Sequence, residues 1–567
     1  MIGPSATSYQ DIKDWTWDDF LPLAEELLAI EVRAENIESW LDGWTQLSRL
    51  YYELGNRAFV DTTVDTADES AQERFQRYND RIQPEFKRVE HQLNQKLIAS
   101  GLTPPGMETA VRRIKNGIEL FREENLALLG AEQNLGTEYN RVLGAQTVEW
   151  EGEQMTLRQL QPVLSEPDRG RRESAWRRSF ERSLDDRDQL NDIWGRFLDL
   201  RGQISANADM RDYRAYKWHE LNRFDYSPSD ALSFFEAIEN VVVPAYERVL
   251  ERRRDRLGVV ALRPWDTQND VYGRPPLRPF SAVQSLEDKT IDIFSAVDDE
   301  LAGYLRIMRD EGYLDLENRK NKAPGGYCSY FPLSRRPFIF MNAVGLHDDV
   351  QTMLHEAGHA FHTFGDDHLP WAQQRDVAIE FAEVASMAME LLAAPYLSAD
   401  QGGFYTAAAA ARARIEHLEN LLRLWAYIAV VASFQHWVYS NIDAARDPEK
   451  CDDHWESLWD RFTPVIDYTG LEPYKRFRWR MQMHIFCLPF YYIEYGLAQL
   501  GAVQVWANSL RDHGAALARY RHALTLGTTV SLPEIYRAAG ARFALDSETL
   551  REAVDLIEAT IDDLETV

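Results

Sequence analysis

Three histidines and a glutamate stand close together in TMLHEAGHAFH, the stretch at residues 352–362. Apolar residues around it recur at helical spacing, so His355 and His359 lie one turn apart on one face of a predicted helix. Two imidazoles at this spacing can bind a single zinc ion. Glu356 would then stand beside a zinc-bound water as its general base. An H-E-x-x-H pattern arises by chance only roughly 0.02 to 0.03 times in such a chain, which favours a metal site over two buried structural histidines.

Two other histidines follow this pair, but neither is expected to bind the same ion. His362 lies roughly 10 Å further along the helix than His355, and the glycine turn that precedes the third histidine of metzincins is missing. His368 falls in the polar loop GDDHLP and is interpreted as a turn residue. The third ligand must therefore come from another element.

A second helical pattern, RDVAIEFAEVASMAMELLAA at residues 375–394, places carboxylates among apolar and small side chains. The small residues let this helix approach a neighbour closely, as a metal site shared by two helices requires. Its candidate ligands are Glu380, Glu383 and Glu390, of which the last two share a helical face. Spacing alone leaves the choice among the three open.

The remaining sequence predicts a mainly α fold. Helical periodicity runs from residue 15 to about 200 and resumes afterwards, and a Pro- and Gly-rich tract at residues 257–280 interrupts the second series. Aromatic and β-branched residues cluster at residues 327–342, which predicts a small sheet directly before the histidine helix. We expect an N-terminal helical lobe at residues 1–200 and a catalytic region at residues 201–567.

Net charge and composition indicate which classes of partner are disfavoured and in which compartment the protein is expected. The net charge of -29, from 91 acidic and 62 basic side chains, disfavours nucleic acid and anionic membranes as partners. The most apolar stretch, from Leu421, contains Arg423 and His436 and is interpreted as a buried helix. The first thirty residues lack the pattern of a secretory signal, which favours a cytoplasmic protein. Reduced thiols are then expected at all three cysteines, Cys328, Cys451 and Cys487.

Four motifs resemble the zinc oligopeptidases of the oligoendopeptidase F and thimet oligopeptidase family. They are GGYCSYF, FMNAVGLHDDVQTMLHEAGHAFH, FAEVASMAMELL and HIFCLPFYYIEYGLAQ, which together span about residues 325–499. The resemblance implies that Glu383 is the third zinc ligand and that Glu390, with Glu380, supports the ligands from behind. Ala385 stands where the wider family often has proline, which favours the oligoendopeptidase F branch.

The same resemblance implies a fold, a cofactor and a class of substrate. The expected fold is a mainly α, two-lobed helical clamshell of the zincin type, with a deep substrate channel and a small β-sheet next to the active-site helix. One Zn²⁺ per chain and short unfolded peptides as substrates are expected, because such a channel excludes folded proteins.

Attack on an amide places negative charge on the former carbonyl oxygen, so the site needs hydrogen-bond donors as well as the metal. By the resemblance, His484 and a tyrosine of HIFCLPFYYIEY supply them. We favour Tyr492, with Tyr491 and Tyr495 behind it. An aromatic cluster in the core is the alternative for each tyrosine.

Two segments before the histidine helix are candidates for binding substrate. Gly325, Gly326 and Tyr327 resemble the glycine loop that closes over substrate in the family, although a glycine pair is also an ordinary turn. The strand with Phe338 and Phe340 could pair with an extended peptide as an edge strand. An ordinary sheet core is the competing interpretation.

The predicted function is hydrolysis of internal bonds of short peptides by a zinc-dependent endopeptidase. One rival is a zinc carboxypeptidase, which would need a cation for the substrate's C-terminus from Arg476, Arg478 or Arg480. Another is a non-catalytic peptide-binding protein, against which the intact Glu356 argues. Manganese or cobalt could also support activity at a site of two histidines and a glutamate, and the sequence carries no indication of oligomeric state.

Overall fold

Helices make up most of the chain in the computed structural model, which describes residues 6–567. Seven α-helices come first in this range: α1 Tyr9–Ile12, α2 Trp17–Ala29, α3 Ile37–Val64, α4 Glu69–Arg77, α5 Gln83–Ser100, α6 Glu108–Leu120 and α7 Glu123–Gly144. A small antiparallel hairpin follows, formed by β1 Thr147–Trp150 and β2 Glu153–Thr156. The next helices are α8 Leu157–Leu160, α9 Arg169–Leu184, α10 Arg187–Asn207, α11 Tyr213–Glu220 and α12 Pro228–Leu257.

The second part of the chain contains a three-stranded sheet and the remaining helices. Helices α13 Val283–Val297 and α14 Asp299–Asp310 lead into β3 Leu314–Glu317, β4 Tyr327–Phe331 and β5 Arg336–Ala343. Two helices directly after the sheet are α15 His347–Asp366 and α16 Ile379–Ala393. The last helices are α17 Ala407–Ser440, α18 Ile442–Ala445, α19 Pro448–Phe462, α20 Glu472–Phe477, α21 Met483–Phe486, α22 Tyr492–Arg511, α23 His513–Leu524, α24 Leu532–Ala538 and α25 Ser547–Leu564. The prediction of a mainly α fold with a small sheet before the histidine helix is confirmed.

The order of strands in the larger sheet is β3-β5-β4. Strand β5 is parallel to β3 and antiparallel to β4. It therefore lies in the middle and has a partner on each side, whereas β4 has one partner strand among the residues described.

This order corrects one expectation, the edge strand with Phe338 and Phe340. That strand is β5, and both side chains are buried in a cluster with Val60 and Phe331. The prediction that these two phenylalanines bind a peptide at a sheet edge was wrong. The second edge of β5 is not open to a peptide, because β3, a strand of 4 residues, pairs with it.

Contacts divide the chain into two compact units, each built from three stretches of sequence. The first unit comprises the stretch that ends at Ile118, Arg278–Ala411 and Ala498–Phe543. The second comprises Glu119–Leu277, Arg412–Leu497 and Ala544–Val567. These units do not follow a single boundary near residue 200, and the division at that residue stays a prediction.

Helix α17 contains the apolar stretch that the sequence marked as a buried helix. It has 34 residues and is long and apolar enough to cross a membrane, but 72% of its most apolar window is buried inside the protein. Such burial is typical of a core helix.

Candidate metal centre

The three side chains that could bind one metal ion come from two neighbouring helices of the first unit. His355 and His359 lie on α15, and Glu383 lies on α16. The Glu383 Oε2 atom is 3.4 Å from His355 Nε2 and 3.6 Å from His359 Nε2. One ligand atom from each residue lies within 4.8 Å of the other two. Of the three carboxylates that spacing left open, Glu383 is the one that approaches the Nε2 atoms of both histidines.

The two helices approach each other closely at Gly358, between the two histidines. A Cβ atom at this position would stand 2.5 Å from Ser386 Cα and 2.6 Å from the carbonyl oxygen of Ala385. Only hydrogen on the Gly358 Cα leaves room for α16 at this distance. The side chain of Tyr520 holds the same turn of α16 by donating to the Ala385 carbonyl at 2.7 Å.

A Gly358→Ala substitution is therefore expected to push the helices apart. Overpacking of this kind costs about 1–3 kcal/mol, so the thermal unfolding midpoint should fall and zinc affinity should fall with it. Gly303→Ala is the matched control, because no atom lies within 4 Å of a Cβ there and alanine favours a helix interior over glycine by roughly 0.5–1 kcal/mol. An unchanged or higher midpoint in the Gly358 variant would contradict the close packing.

The first turn of α15 is fixed by a carboxylate that sequence reasoning did not single out. Asp349 Oδ2 accepts hydrogen bonds from the backbone N–H groups of Val344 and Leu346, each at 2.8 Å. These donors lie between the end of β5 and the start of the helix. The contact sets the direction in which α15 leaves the sheet, and its sequence signal is an acid in the first turn of a helix.

Glu390 orients one of the candidate ligands. Its Oε1 atom lies 2.7 Å from His355 Nδ1. The other ring nitrogen, Nε2, therefore faces Glu383. A carboxylate behind an imidazole ligand fixes the ring and its tautomer and raises the basicity of the other nitrogen. Ser386 Oγ similarly donates to Glu383 Oε2 at 3.1 Å. Glu380 is also buried, and its backbone carbonyl accepts a hydrogen bond from Tyr536 at 2.9 Å.

Glu390→Gln is expected to weaken zinc binding by about 10- to 100-fold, the usual effect of losing a carboxylate behind a ligand. Competition with a chromogenic chelator would measure the zinc Kd. Asp266→Asn serves as the control, because Asp266 is also a carboxylate paired with a basic side chain but lies in the second unit. Equal zinc affinities for wild type and the Glu390 variant would show that the contact with His355 does not matter.

Burial and neighbouring charges shift the pKa of each of these groups. Burial lowers the pKa of His359 to about 4, which favours the neutral imidazole that binds metal. Burial opposes protonation of His355, but hydrogen bonds with Glu383 and Glu390 outweigh it and raise the pKa of that ring. Burial, aided by the same two carboxylates, raises the pKa of Glu356 to about 7.

The donor set fits zinc. Two imidazole nitrogens and one carboxylate oxygen are the protein ligands of many catalytic zinc sites, which keep a further position open for water or substrate. The carboxylate would balance part of the ion's charge in a buried environment. The Nε2 atoms of both histidines face Glu383. Among residues 6–567, this is the group of histidine, cysteine and acidic side chains that converges closely enough for a metal ion.

His362 and His368, which were not expected to bind the ion, lie outside the group of candidate ligands. The ring of His362 is buried against Phe381, with ring centroids 5.8 Å apart, and burial lowers its pKa to about 3. His368 follows the end of α15, where Nδ1 lies 2.9 Å from the carbonyl oxygen of Gly365. Neither belongs to the group of candidate ligands.

His484 and the three tyrosines form one cluster in the second unit. The ring centroid of His484 is 4.6 Å from that of Tyr492, 6.0 Å from that of Tyr495 and 6.1 Å from that of Tyr491. Burial lowers the pKa of His484 to about 4 and raises the pKa of Tyr492. Both side chains are therefore neutral near pH 7 and retain hydrogen-bond donors.

Two residues that sequence reasoning missed orient this cluster. Tyr427 on α17 donates to Gln482 Oε1 at 2.7 Å, and Gln482 Nε2 lies 2.8 Å from His484 Nδ1. In this arrangement the amide donates to Nδ1, which leaves the ring proton of the neutral histidine on Nε2. Tyr427 stands within a long apolar helix, so no local pattern marks it.

The glycine loop is held in place by Asn342 on β5. Its Nδ2 donates to the carbonyl oxygens of Ala323, at 2.7 Å, and Gly325, at 3.0 Å. Gly325 has φ of 108°, a conformation that side chains disfavour. Tyr327 stacks on Phe340 with ring centroids 4.8 Å apart, so its ring lies on the sheet. A role for this loop in binding substrate stays a prediction.

Comparison with known proteins identifies the family. Residues 163–555 match the model of peptidase family M3, and residues 16–108 match the peptidase M3 N-terminal domain. An oligoendopeptidase F homolog from Lactococcus lactis subsp. lactis (strain IL1403) is 22% identical over 244 residues, which are 42% of this chain and 38% of the relative. The aligned region thus spans less than half the length of this curated relative.

Solved structures show the same fold over nearly the whole chain. PZ peptidase A with inhibitor 2 has a TM-score of 0.87 at 24% identity and covers 99% of this chain and 98% of its own. A 3.1 Å structure provisionally assigned to oligoendopeptidase F has a TM-score of 0.89 at 24% identity and covers 99% of this chain and 100% of its own. Since the family model alone matches well over half of the sequence, the chain belongs to peptidase family M3.

Proposed function

We propose that this protein is a zinc metallo-oligopeptidase that hydrolyses internal bonds of short unfolded peptides. The convergence of His355, His359 and Glu383, with Glu356 beside them on α15, is the observation that carries the proposal. Membership of a peptidase family and the similarity to an oligoendopeptidase F homolog support it.

The proposed mechanism assigns a separate task to each group of residues. His355, His359 and Glu383 hold one zinc ion, and Glu390 keeps the His355 ring in place. When bound, zinc supplies Lewis acidity, which polarises a carbonyl group and lowers the pKa of water. Glu356 accepts a proton from the attacking water and delivers it to the leaving amine nitrogen.

His484 and Tyr492 are the proposed donors to the oxygen that gains negative charge, with Tyr491 and Tyr495 next to them. Neutral donors at fixed positions stabilise such an oxygen without the cost of reorienting water. The contacts of Gln482 with His484 and Tyr427 support this role, because they hold the His484 ring in one orientation. Residues of this chain would thus supply both the base and the oxyanion donors.

The arginines that a carboxypeptidase would need are engaged elsewhere. Arg480 is fully buried and donates to Asp452 at 2.6 Å, and Arg476 lies 2.6 Å from Asp453. Arg478 lies over the ring of Trp459, 4.4 Å from its centroid. These contacts favour an endopeptidase over an enzyme that recognises a free C-terminal carboxylate.

Peptides blocked at both ends test this choice. We expect hydrolysis of internal bonds in short peptides that carry an N-terminal acetyl group and a C-terminal amide, with rates close to those of the unblocked peptides. Loss of cleavage on amidation alone would point to the carboxypeptidase. Zinc binding without cleavage of any peptide would point to a peptide-binding protein.

The proposed location is the cytoplasm. All three cysteines are free in the structure, which is compatible with a reducing compartment. The proposed partners are short peptides, and neither nucleic acid nor membrane is proposed, given the net charge of -29.

A further inference from the structure

Phe490 has an unusual backbone conformation directly before the tyrosines of the proposed oxyanion donors. Its φ is 65°, in the left-handed region that bulky residues rarely adopt. It lies between α21, which carries His484, and α22, which begins at Tyr492, and it is almost fully buried. A residue keeps such a conformation only where the surrounding structure fixes it, and conformations of this kind cluster at functional sites.

The side chain of Gln435 on α17 fixes the N–H side of Phe490. Its Oε1 atom accepts a hydrogen bond from the Phe490 N–H at 3.1 Å, and its Nε2 atom donates to the carbonyl oxygen of His484 at 2.8 Å. Gln435 is buried, and a buried amide that loses its partners destabilises the folded state. One planar group therefore joins the backbone of His484 to the backbone of Phe490.

Arg223, which follows the end of α11, fixes the carbonyl side of Phe490. Its Nη2 atom donates to the Phe490 carbonyl oxygen at 2.6 Å and to Glu494 Oε1 at 2.7 Å. Both side chains of this ion pair are buried. The guanidinium also lies over the ring of Trp218, 4.5 Å from its centroid. Since Glu494 is in the first turn of α22, Arg223 joins Phe490 to the helix that begins at Tyr492.

We propose that Gln435 and Arg223 are positioning residues for the oxyanion donors. They fix Phe490 in the left-handed conformation from both sides and so hold the ring of Tyr492 beside that of His484, with centroids 4.6 Å apart. Without these contacts Phe490 would return to a common backbone conformation, and the chain direction before Tyr492 would change. A donor displaced in this way loses its hydrogen bond to the developing negative charge. This inference rests on the proposed peptidase function and adds the residues that keep its oxyanion donors in place.

Gln435→Met and Arg223→Lys test the two contacts separately. Methionine fills a similar volume but lacks the amide that makes both hydrogen bonds, and kcat should fall about 10- to 100-fold, because misplacement by about 1 Å can cost 10²-fold. KM should change less than about 2-fold, because the donors act on charge that develops in the transition state. Arg223→Lys keeps a positive charge beside Glu494 but loses the planar fork of donors, and it should lower kcat about 3- to 10-fold.

A double-mutant cycle separates positioning from general damage to the protein. In a protein that carries His484→Ala and Tyr492→Phe, Gln435→Met should lower the residual kcat less than about 3-fold, because Gln435 acts through the groups already removed. Residual hydrolysis would be followed by mass spectrometry over long incubations.

Gln146→Met is the matched control. Gln146 is a buried glutamine of the same unit, and it accepts a hydrogen bond from Ser183 at 3.0 Å and donates one to Asp186 at 2.9 Å. Its replacement removes two comparable contacts and should leave kcat and KM unchanged. Zinc affinity should stay at the wild-type value in every variant, since the candidate ligands lie in the first unit.

Hydrogen exchange measures the hold on this segment without any catalysis. In Gln435→Met and in Arg223→Lys, backbone amides within residues 483–492 should exchange at least about 10-fold faster than in wild type, because the segment opens more often. Gln146→Met should leave their exchange unchanged. The two variants act on opposite sides of Phe490, so each supplies the measurement if the other does not fold.

The outcomes distinguish this inference from the function on which it rests. Unchanged exchange or unchanged kcat in both Gln435→Met and Arg223→Lys would overturn it. A loss of kcat on Gln435→Met that is as large without the His484 and Tyr492 donors as with them would overturn it as well. If wild type cleaves no peptide, the proposed function fails, and hydrogen exchange then decides whether Gln435 and Arg223 hold the segment.

Discussion

Replacement of Glu356 by glutamine is expected to lower kcat by about 10²- to 10⁴-fold, the usual contribution of general acid–base catalysis. Glutamine has nearly the same shape but cannot accept the proton of the attacking water. Glu356 is not among the three converging ligands, so the zinc content should stay at one ion per chain. Steady-state kinetics and elemental analysis of the same preparation would measure both quantities.

Glu356→Asp serves as the matched control for this experiment. It keeps a carboxylate and withdraws it by one methylene group, so its kcat should lie between those of wild type and Glu356→Gln. A glutamine variant with more than roughly a tenth of wild-type kcat would contradict the role of Glu356, because general acid–base catalysis contributes at least about 10²-fold.

Replacement of Glu383 by glutamine is expected to lower zinc binding as well as activity, whereas the Glu356 variant should keep its zinc. Glu383 Oε2 is the atom that both His355 Nε2 and His359 Nε2 approach, and an amide oxygen is a weaker ligand without charge. Zinc affinity should fall by more than the about 10- to 100-fold expected for a residue behind the ligands. A chelator competition assay gives the Kd.

Thermal unfolding with and without added zinc supplies a second measurement on this variant. A ligand at about 100 times its Kd stabilises the folded state by about 2.7 kcal/mol, so zinc should raise the unfolding midpoint of wild type and of Glu356→Gln. The midpoint of Glu383→Gln should respond much less at the same zinc concentration. Full zinc binding by the Glu383 variant would show that another residue is the third ligand.

The histidine pair could be predicted because the relevant information is local. The apolar periodicity of α15 places His355 and His359 on one face, whatever the rest of the fold. The third ligand depends on how two helices pack, and periodicity could not separate Glu383 from Glu380 and Glu390. The resemblance to a known family favoured Glu383, and the structure places that carboxylate beside both histidines.

The error about the sheet edge has a different origin. Residues 327–342 were correctly predicted to be extended, but which strand lies at the edge depends on a third strand. That strand, β3, has 4 residues and pairs through a parallel register with β5. Such a short segment carries almost no periodic signal, so the sequence could not show that Phe338 and Phe340 lie in the middle of the sheet.

Product mapping tests the central claim, a metal-dependent endopeptidase for short peptides, most directly. Wild-type protein would be incubated with a pool of short peptides and one folded protein, with a chelator, and with zinc restored after chelation, and the products identified by mass spectrometry. The account predicts internal cuts confined to the peptides, lost with the chelator and regained with zinc. Stepwise loss of residues from C-termini, or intact peptides in the presence of bound zinc, would contradict it.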